Sequence, residues 1–157
     1  MDKKLREEFW NAFAKSPFIM MRLEGTMGQA VHAEPMTAQL DPHALHTIWF
    51  FASRKNRLAA GGKAMGQFAA KGHDLFACLS GTLAEETEKA RIDQHWSKEV
   101  EAWFPGGRND PELMMLRFEI EDAEVWTADP GLLGSFKLLT GSAIRTSEMG
   151  EHATGLV

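Results

Sequence analysis

The sequence predicts a small antiparallel β barrel with flanking helices, on three observations. Short apolar stretches bounded by Gly, Pro, Asp and Asn recur along the chain, as expected for five or six strands. Segments with helical spacing lie at both ends and between the late strands rather than after every strand, which disfavours a βαβ sheet. No internal repeat or low-complexity linker divides the 157 residues, so we expect a single domain over 1–157.

The first element is predicted to be a helix over residues 2–15. Asp2 can cap it, and the Ser-Pro pair at 16–17 stops it. Its large apolar residues recur at helical spacing, with Lys and Glu between them: Leu5, Phe9, Trp10 and Phe13. We therefore expect an amphipathic helix that packs on the barrel.

The barrel is predicted over about 17–128. The strand-like stretches are 17–24, 31–40, 46–53, 63–70, 73–84, 113–120 and 123–127. The first two are expected to form a hairpin, a short helical turn ended by two glycines follows at 54–62, and one helix is expected over 86–104. A short amphipathic helix at 132–141 and a loose polar tail complete the C-terminal part, 131–157.

Composition and charge exclude several classes of protein. A net charge of -5 argues against a general nucleic-acid or anionic-membrane binder, which usually carries a basic excess. Cys78 is the single cysteine, which excludes an internal disulfide and fits a reducing cytoplasm. The start, MDKKLREEFW, lacks the apolar core of a secretion signal, and no apolar run approaches the roughly 20 residues of a membrane span. We expect a soluble, unprocessed cytoplasmic protein.

A gap in the acidic residues is the strongest local signal. Between Asp41 and Asp74 there is no acid, but there are five bases: Arg54, Lys55, Arg57, Lys63 and Lys71. The first three follow directly on an aromatic strand, where basic side chains, the Ser53 hydroxyl and free N–H groups could together hold a phosphate. A solvated basic surface explains the same pattern about equally well.

Other sites have weaker signals. No HExxH motif is present, and His32 and His73, placed on neighbouring strands, are more often surface residues than metal ligands, so no metal is predicted. Cys78 lies inside an apolar strand, where an inert thiol is expected. Trp103 and Trp126 lie near loop boundaries, where an aromatic ring could cover a planar ligand, although core packing is slightly favoured.

Six motifs in order carry a resemblance to a known family. They are SPFIMM, EPMTAQLD, IWFFASRKNRLA, KGHDLFACLSGTL, AWFPGGRNDPELMMLRF and DAEVWT. Together they resemble the general-stress-protein branch of the pyridoxamine 5'-phosphate oxidase-like flavoproteins, over about residues 5–141. The resemblance implies a mainly β fold with flanking helices, a six-stranded antiparallel split β-barrel (FMN-binding split barrel), homodimeric, with FMN in a groove at the dimer interface.

The resemblance also implies site residues and an activity. The EPMTAQ strand is expected to run beside the flavin ring, the end of the WFFAS strand and its turn to hold the phosphate, and the aromatic of AEVW to pack by the ring. The implied FMN-binding residues are Pro35, Met36, Thr37, Gln39, Ala52, Ser53, Arg54, Lys55, Arg57 and Trp126. The resemblance implies a flavin-dependent oxidoreductase with a small-molecule electron donor or acceptor. True pyridoxamine phosphate oxidase activity is not expected, because the C-terminal arginine and histidine pattern with which those enzymes bind their substrate is missing.

Two positions depart from the family pattern and keep an alternative open. Glu34 stands where relatives commonly have an arginine, and Ala52 where they tend to have a threonine. The alternative is a flavin-free or flavin-storing split-barrel dimer that works as a binding or structural module without catalytic activity. A related barrel that binds haem, with His73 or His32 as axial ligand, ranks last.

Overall fold

The structure, a computed structural model, describes residues 1–25, 32–128 and 151–157. In chain order the helices and strands are α1 Lys3–Lys15, β1 Phe18–Leu23, β2 Glu34–Thr37, β3 Thr47–Ser53, β4 Gly62–Ala69, β5 Leu75–Glu86, α2 Lys89–His95, α3 Lys98–Trp103, β6 Leu113–Thr127 and β7 His152–Thr154. Two short 3₁₀ turns lie at Arg57–Ala60 and Gly107–Asn109. The helix expected at 132–141 lies outside the described residues.

Helix α1 begins at the expected cap and packs on the barrel through one face. The Asp2 carboxylate accepts a hydrogen bond from the Leu5 backbone N–H at 2.8 Å, which satisfies one of the free donors of the first turn. Three apolar side chains at helical spacing are buried: Leu5, Phe9 and Phe13. Phe9 and Phe13 both contact the ring of Phe68 on β4 edge to face. The periodicity therefore places this helix over the barrel core.

The strands form one antiparallel sheet that closes on itself. The strand order is β2-β1-β4-β5-β6-β3, and β7 pairs with β6 off this path. The hairpin of β1 and β2 is confirmed, with Phe18 opposite Thr37. Just beyond β2, Gln39 and Trp49 of β3 exchange two backbone hydrogen bonds of 2.7 and 3.1 Å, which joins the two ends of the sheet. The predicted six-stranded antiparallel barrel is confirmed, and the seventh strand is an addition.

A β-bulge lets β6 run as one strand where the sequence suggests two. The register between β5 and β6 shifts between Ser80 and Gly81, because Ser80 is opposite Asp122 and Gly81 is opposite Ile120. Glu121 is the extra residue, so the polar Glu-Asp pair marks a bulge and not the end of a strand. Gly81 is required there, since an added Cβ would overlap the Glu119 carbonyl oxygen.

The segment 86–104 contains two short helices instead of the one predicted. Trp96 has extended backbone angles, and the Ser97 hydroxyl accepts a hydrogen bond from the Val100 N–H at 3.2 Å. Serine is a strong N-cap residue, so it begins α3 and interrupts the helical run. Helical spacing continues across the break, which is why the apolar pattern alone does not predict it.

Residues 151–157 differ from the loose tail that the sequence suggests. Strand β7 pairs with β6, with His152 opposite Trp126 and Thr154 opposite Glu124, and the Val157 side chain is fully buried. Three residues are too few for an alternating pattern to predict a strand. Within the described residues, no helix is long and apolar enough to span a membrane.

Candidate functional site

A groove of about 460 Å³ lies between β2, β3 and α3. Six of the ten residues predicted to bind the cofactor line it: Pro35, Met36, Thr37, Gln39, Ala52 and Ser53. They come from two motifs that are separated in sequence and that the Gln39–Trp49 bridge holds side by side. The closure of the barrel therefore brings the predicted residues together.

Strand β2 presents an open backbone edge to this groove. It pairs with β1 along Glu34–Thr37, and within the described residues its other edge meets β3 only past its end, at Gln39. Backbone N–H and C=O groups at an unpaired edge can bind a ligand that lies along the strand. Met36 is buried beneath the edge, so the floor of the groove is apolar while its edge is polar.

Helix α3 and the capping residue at each of its ends form the opposite wall. The wall residues are Ser97, Glu99, Val100, Trp103 and Phe104. Val100 and Phe104 are buried against Leu113, which fixes the helix, whereas the Trp103 ring is 82% exposed at the groove. Of these, the sequence singled out only Trp103 as a ring that could cover a planar ligand. The signal for the others is the amphipathic spacing of a helix that begins at Ser97.

The three bases that follow β3 are each paired with an acid in the fold. Arg57 forms an ion pair with Glu34, with 2.7 Å between Nε and Oε1. Asn56, which lines the groove, donates from Nδ2 to the other Glu34 oxygen at 2.7 Å. The 3₁₀ turn after β3 thus lies beside the groove, but its arginine and amide are already held by a carboxylate from β2.

Arg54 and Lys55 are also paired, and Arg54 faces elsewhere. Arg54 donates to Glu85 at 2.8 Å, and this hydrogen bond raises the pKa of Arg54. It lines a separate cavity of about 290 Å³ together with Arg108. Lys55 lies 3.4 Å from Glu112. The predicted basic cluster is therefore not one unpaired patch, because each base meets an acid that is distant in sequence.

Trp126 lies away from the groove, on the outer face of the sheet. It is opposite Phe76 of β5 and stacks on His152 of β7 with ring centroids 5.2 Å apart. The lining of the groove within one chain does not include it. Phe18, Met20 and Phe76 are also exposed and line a shallow apolar depression of about 410 Å³ that shares Pro35 with the groove.

Within the part of the chain that the structure describes, the histidine side chains do not form a cluster that could bind a metal. His32 precedes β2 and His73 lies in the turn between β4 and β5 with a positive φ of 56°, so the expectation that both lie on neighbouring strands is wrong. The described residues contain no group of three or more His, Cys, Asp or Glu side chains arranged around a metal. Burial raises the pKa of the Cys78 thiol, which fits an unreactive cysteine.

A larger cavity, of about 610 Å³, lies between α1 and the turn after β4. Its lining ends at Thr127 and Ala128, next to the undescribed residues 129–150. None of the ten predicted residues lines it. Size therefore does not decide the site, and the convergence of the predicted residues favours the groove.

Comparison with known proteins gives the family. A model described as "Pyridoxamine 5'-phosphate oxidase like" matches residues 4–149. The general stress FMN/FAD binding protein of Xanthomonas citri is 38% identical, with a TM-score of 0.75, and the match covers 92% of this chain and 98% of that chain. A Clostridium acetobutylicum protein related to general stress protein 26 of B. subtilis is 18% identical, with a TM-score of 0.71 over 100% and 97% of the two chains, and shares the fold.

A search of the curated proteins finds no match. The family match nevertheless spans nearly the whole chain, and it agrees with the six motifs and with the closed antiparallel barrel. This chain belongs to the pyridoxamine 5'-phosphate oxidase-like family, within which its similar structures include general stress proteins.

Proposed function

We propose that this chain binds FMN in the groove between β2, β3 and α3 and acts as a cytoplasmic flavin-dependent oxidoreductase of the general stress family. The observation that carries the proposal is the meeting of six predicted residues in one groove, from two separate motifs. The similar Xanthomonas citri protein is named for FMN/FAD binding. The groove volume of about 460 Å³ lies in the usual range for sites that hold a small molecule or cofactor.

The residues of the groove suit a planar, partly polar ligand. The open edge of β2 would hydrogen-bond the polar rim of the flavin ring, and the exposed Trp103 ring would cover one face of it. The Asn56–Arg57 end would receive the phosphate. Bound flavin would supply the hydride or electron transfer, so the protein needs only to bind, orient and keep water from the ring.

The proposal includes a homodimer that packs on the apolar sheet face. Phe18, Met20, Phe76 and Trp126 are between 37% and 61% exposed there. A contiguous exposed apolar face is typical of an interaction surface. Because Pro35 borders both this face and the groove, a second copy on the face would close the side of the groove and bring its own residues to it. Two-fold symmetry would then give two equivalent sites.

The second candidate is a dimer that works without flavin as a binding or structural module. The ion pair of Glu34 with Arg57 favours it, because the carboxylate holds the donors that a phosphate would use. The two candidates differ in whether the folded protein retains flavin.

The test is flavin binding by the purified protein. We expect protein mixed with FMN and then passed through gel filtration to keep the flavin absorption bands. Replacing Trp103 with alanine should weaken the binding of FMN and of riboflavin by about fivefold, since stacking on an aromatic ring contributes roughly 1 kcal/mol.

The matched control is Leu45→Ala. Leu45 is also an exposed apolar side chain, 52% accessible, but it does not line the groove, so its loss should leave binding unchanged. A folded wild-type protein that retains neither FMN nor riboflavin would overturn the flavoprotein proposal and leave the flavin-free module in its place.

A further inference from the structure

We infer that Glu34 acts as a built-in competitor of the ligand's phosphate and sets how strongly the groove distinguishes phosphorylated from unphosphorylated flavin. The inference rests on the proposed function and concerns the same groove. It assigns a specificity role to an acidic residue on β2 that the family resemblance does not place among the binding residues.

Both carboxylate oxygens of Glu34 are bonded to side chains of the 3₁₀ turn after β3. One carboxylate oxygen lies 2.7 Å from Arg57 Nε, and the other accepts from Asn56 Nδ2 at 2.7 Å. A carboxylate that uses both oxygens on an arginine and an amide makes the contacts that a phosphate makes with such donors. Arg57 Nε and Asn56 Nδ2 are therefore occupied by an internal anion, while Arg57 Nη1 donates to the His32 carbonyl oxygen at 3.5 Å.

The Asn56 side chain is fixed in orientation by hydrogen bonds at both its oxygen and its nitrogen. Its side-chain oxygen accepts from the Leu58 backbone N–H at 2.8 Å and caps the 3₁₀ turn. Because the oxygen is committed to the cap, the amide nitrogen is directed at Glu34 and cannot rotate away without loss of the cap. Asn56 also lines the groove, so a ligand phosphate that takes its amide nitrogen as a donor has to displace the Glu34 carboxylate from it.

The positive charges that follow β3 are balanced by carboxylates. The bases after β3 each have a carboxylate partner: Arg54 with Glu85, Lys55 with Glu112 and Arg57 with Glu34. These three pairs have no net charge, so a phosphate dianion gains little attraction from them and is repelled by the nearest carboxylate. Glu34, only 26% exposed at its side chain, is screened less by solvent than the other two acids.

The consequence is a groove that holds the ring more strongly than the phosphate. We expect FMN and riboflavin to bind the wild-type protein with dissociation constants within about threefold of each other. Neutralising Glu34 should free Arg57 and Asn56 for the phosphate and remove the repulsion. Glu34→Gln should therefore tighten FMN binding about tenfold while riboflavin binding changes less than about twofold.

The experiment titrates FMN and riboflavin, by flavin fluorescence, into the full-length wild-type protein and its variants. Glu7→Gln is the control, since Glu7 is an exposed acid on α1 that pairs with Lys3, and it removes the same charge from a helix that contributes no residue to the groove. The double variant Glu34→Gln/Arg57→Gln should lose most of the FMN gain. Circular dichroism confirms that each variant is folded.

Selective tightening of FMN in Glu34→Gln, reversed by the second substitution, supports the inference. An equal change for both flavins, or no change, overturns the inference while the proposed function stands. Failure of every folded variant to bind either flavin overturns both. If Glu34→Gln does not fold, Glu34→Ala is titrated in its place under the same criteria.

Discussion

Glu86 is the charged side chain that the described part of the molecule buries most fully, at 6% exposure. One carboxylate oxygen accepts from the indole nitrogen of Trp49 at 3.1 Å, and the other from Arg117 at 3.2 Å. A buried carboxylate destabilises a fold unless donors satisfy it. Trp49 thus has a polar role in addition to its packing, and no sequence pattern indicates that role.

Replacing Trp49 with phenylalanine removes that donor and keeps an aromatic ring. We expect the free energy of unfolding to fall by about 1–3 kcal/mol, because one oxygen of a buried carboxylate loses its partner. The measurement is urea denaturation. Trp10→Phe is the matched control, since the Trp10 indole nitrogen is buried and has no hydrogen-bond partner among the described residues. Equal losses for the two variants would show that the hydrogen bond to Glu86 contributes nothing.

At the scale of the element, α1 and α2 both lie where helical spacing predicts a helix, but they are held to the barrel by different contacts. Helix α1 buries three apolar side chains, and its spacing identifies it. Helix α2 buries none and is held by polar and aromatic contacts: Arg91 lies 2.6 Å from Asp41 and over the Trp49 ring, and His95 stacks on the same ring. The His43 backbone N–H, with Arg91 and Gln94, lowers the pKa of Asp41 to about 2. The spacing over 86–104 therefore predicts a helix here, but it does not predict these polar and aromatic contacts.

The stacking of His95 makes this attachment sensitive to pH. Burial, and then the nearby Arg91, lower the pKa of His95 below its ordinary value of 6.5. The folded state therefore binds this proton less readily than the unfolded state, so stability is full above about pH 6.5 and falls as the pH drops from there through the folded-state pKa.

We expect His95→Gln to reduce the loss of stability between about pH 7.5 and 5, measured as the urea midpoint at each pH. His43→Gln, at an exposed histidine whose contact with Asp41 is made by its backbone N–H, is the control and should keep the wild-type slope. An unchanged slope in His95→Gln would remove His95 as the cause.

Sequence patterns predict the two strands of the candidate site, but they do not predict its helical wall or its ion pairs. The stretch that ends at Ala52 has the aromatic and branched residues of a strand, the stretch after Pro35 alternates apolar and polar residues, and both are followed by turn chemistry. The wall from α3 was not predicted, since it depends on the break at Ser97. The ion pairs of the bases were not predicted either, because their acidic partners lie on strands and loops that only the closed barrel brings near.

At the scale of the whole molecule, the apolar sheet face is likewise formed by residues that are distant in sequence. Phe18, Met20, Phe76 and Trp126 come from three strands, and alternation predicts for each strand which residues point outward. Only the strand order, in which β4 lies between β1 and β5 and β6 follows β5, makes one continuous face of them. An exposed apolar face of this kind is typical of an interaction surface, and it is the face on which the proposed function places a second copy.

Placing a charge at the centre of this face tests the dimer and its link to the groove together. Phe76 is 39% exposed and lines the depression that shares Pro35 with the groove, so Phe76→Lys should bury an unpaired ammonium group at the interface. We expect a dimeric wild-type protein by light scattering after gel filtration, a monomeric Phe76→Lys variant, and a flavin affinity lower by about tenfold or more in that variant. Leu45→Lys adds the same charge at an exposed leucine outside both the depression and the groove and should leave mass and affinity unchanged.

A Phe76→Lys protein that remains dimeric would mean that the subunits meet elsewhere, whereas a monomer with undiminished flavin affinity would mean that one chain completes the groove.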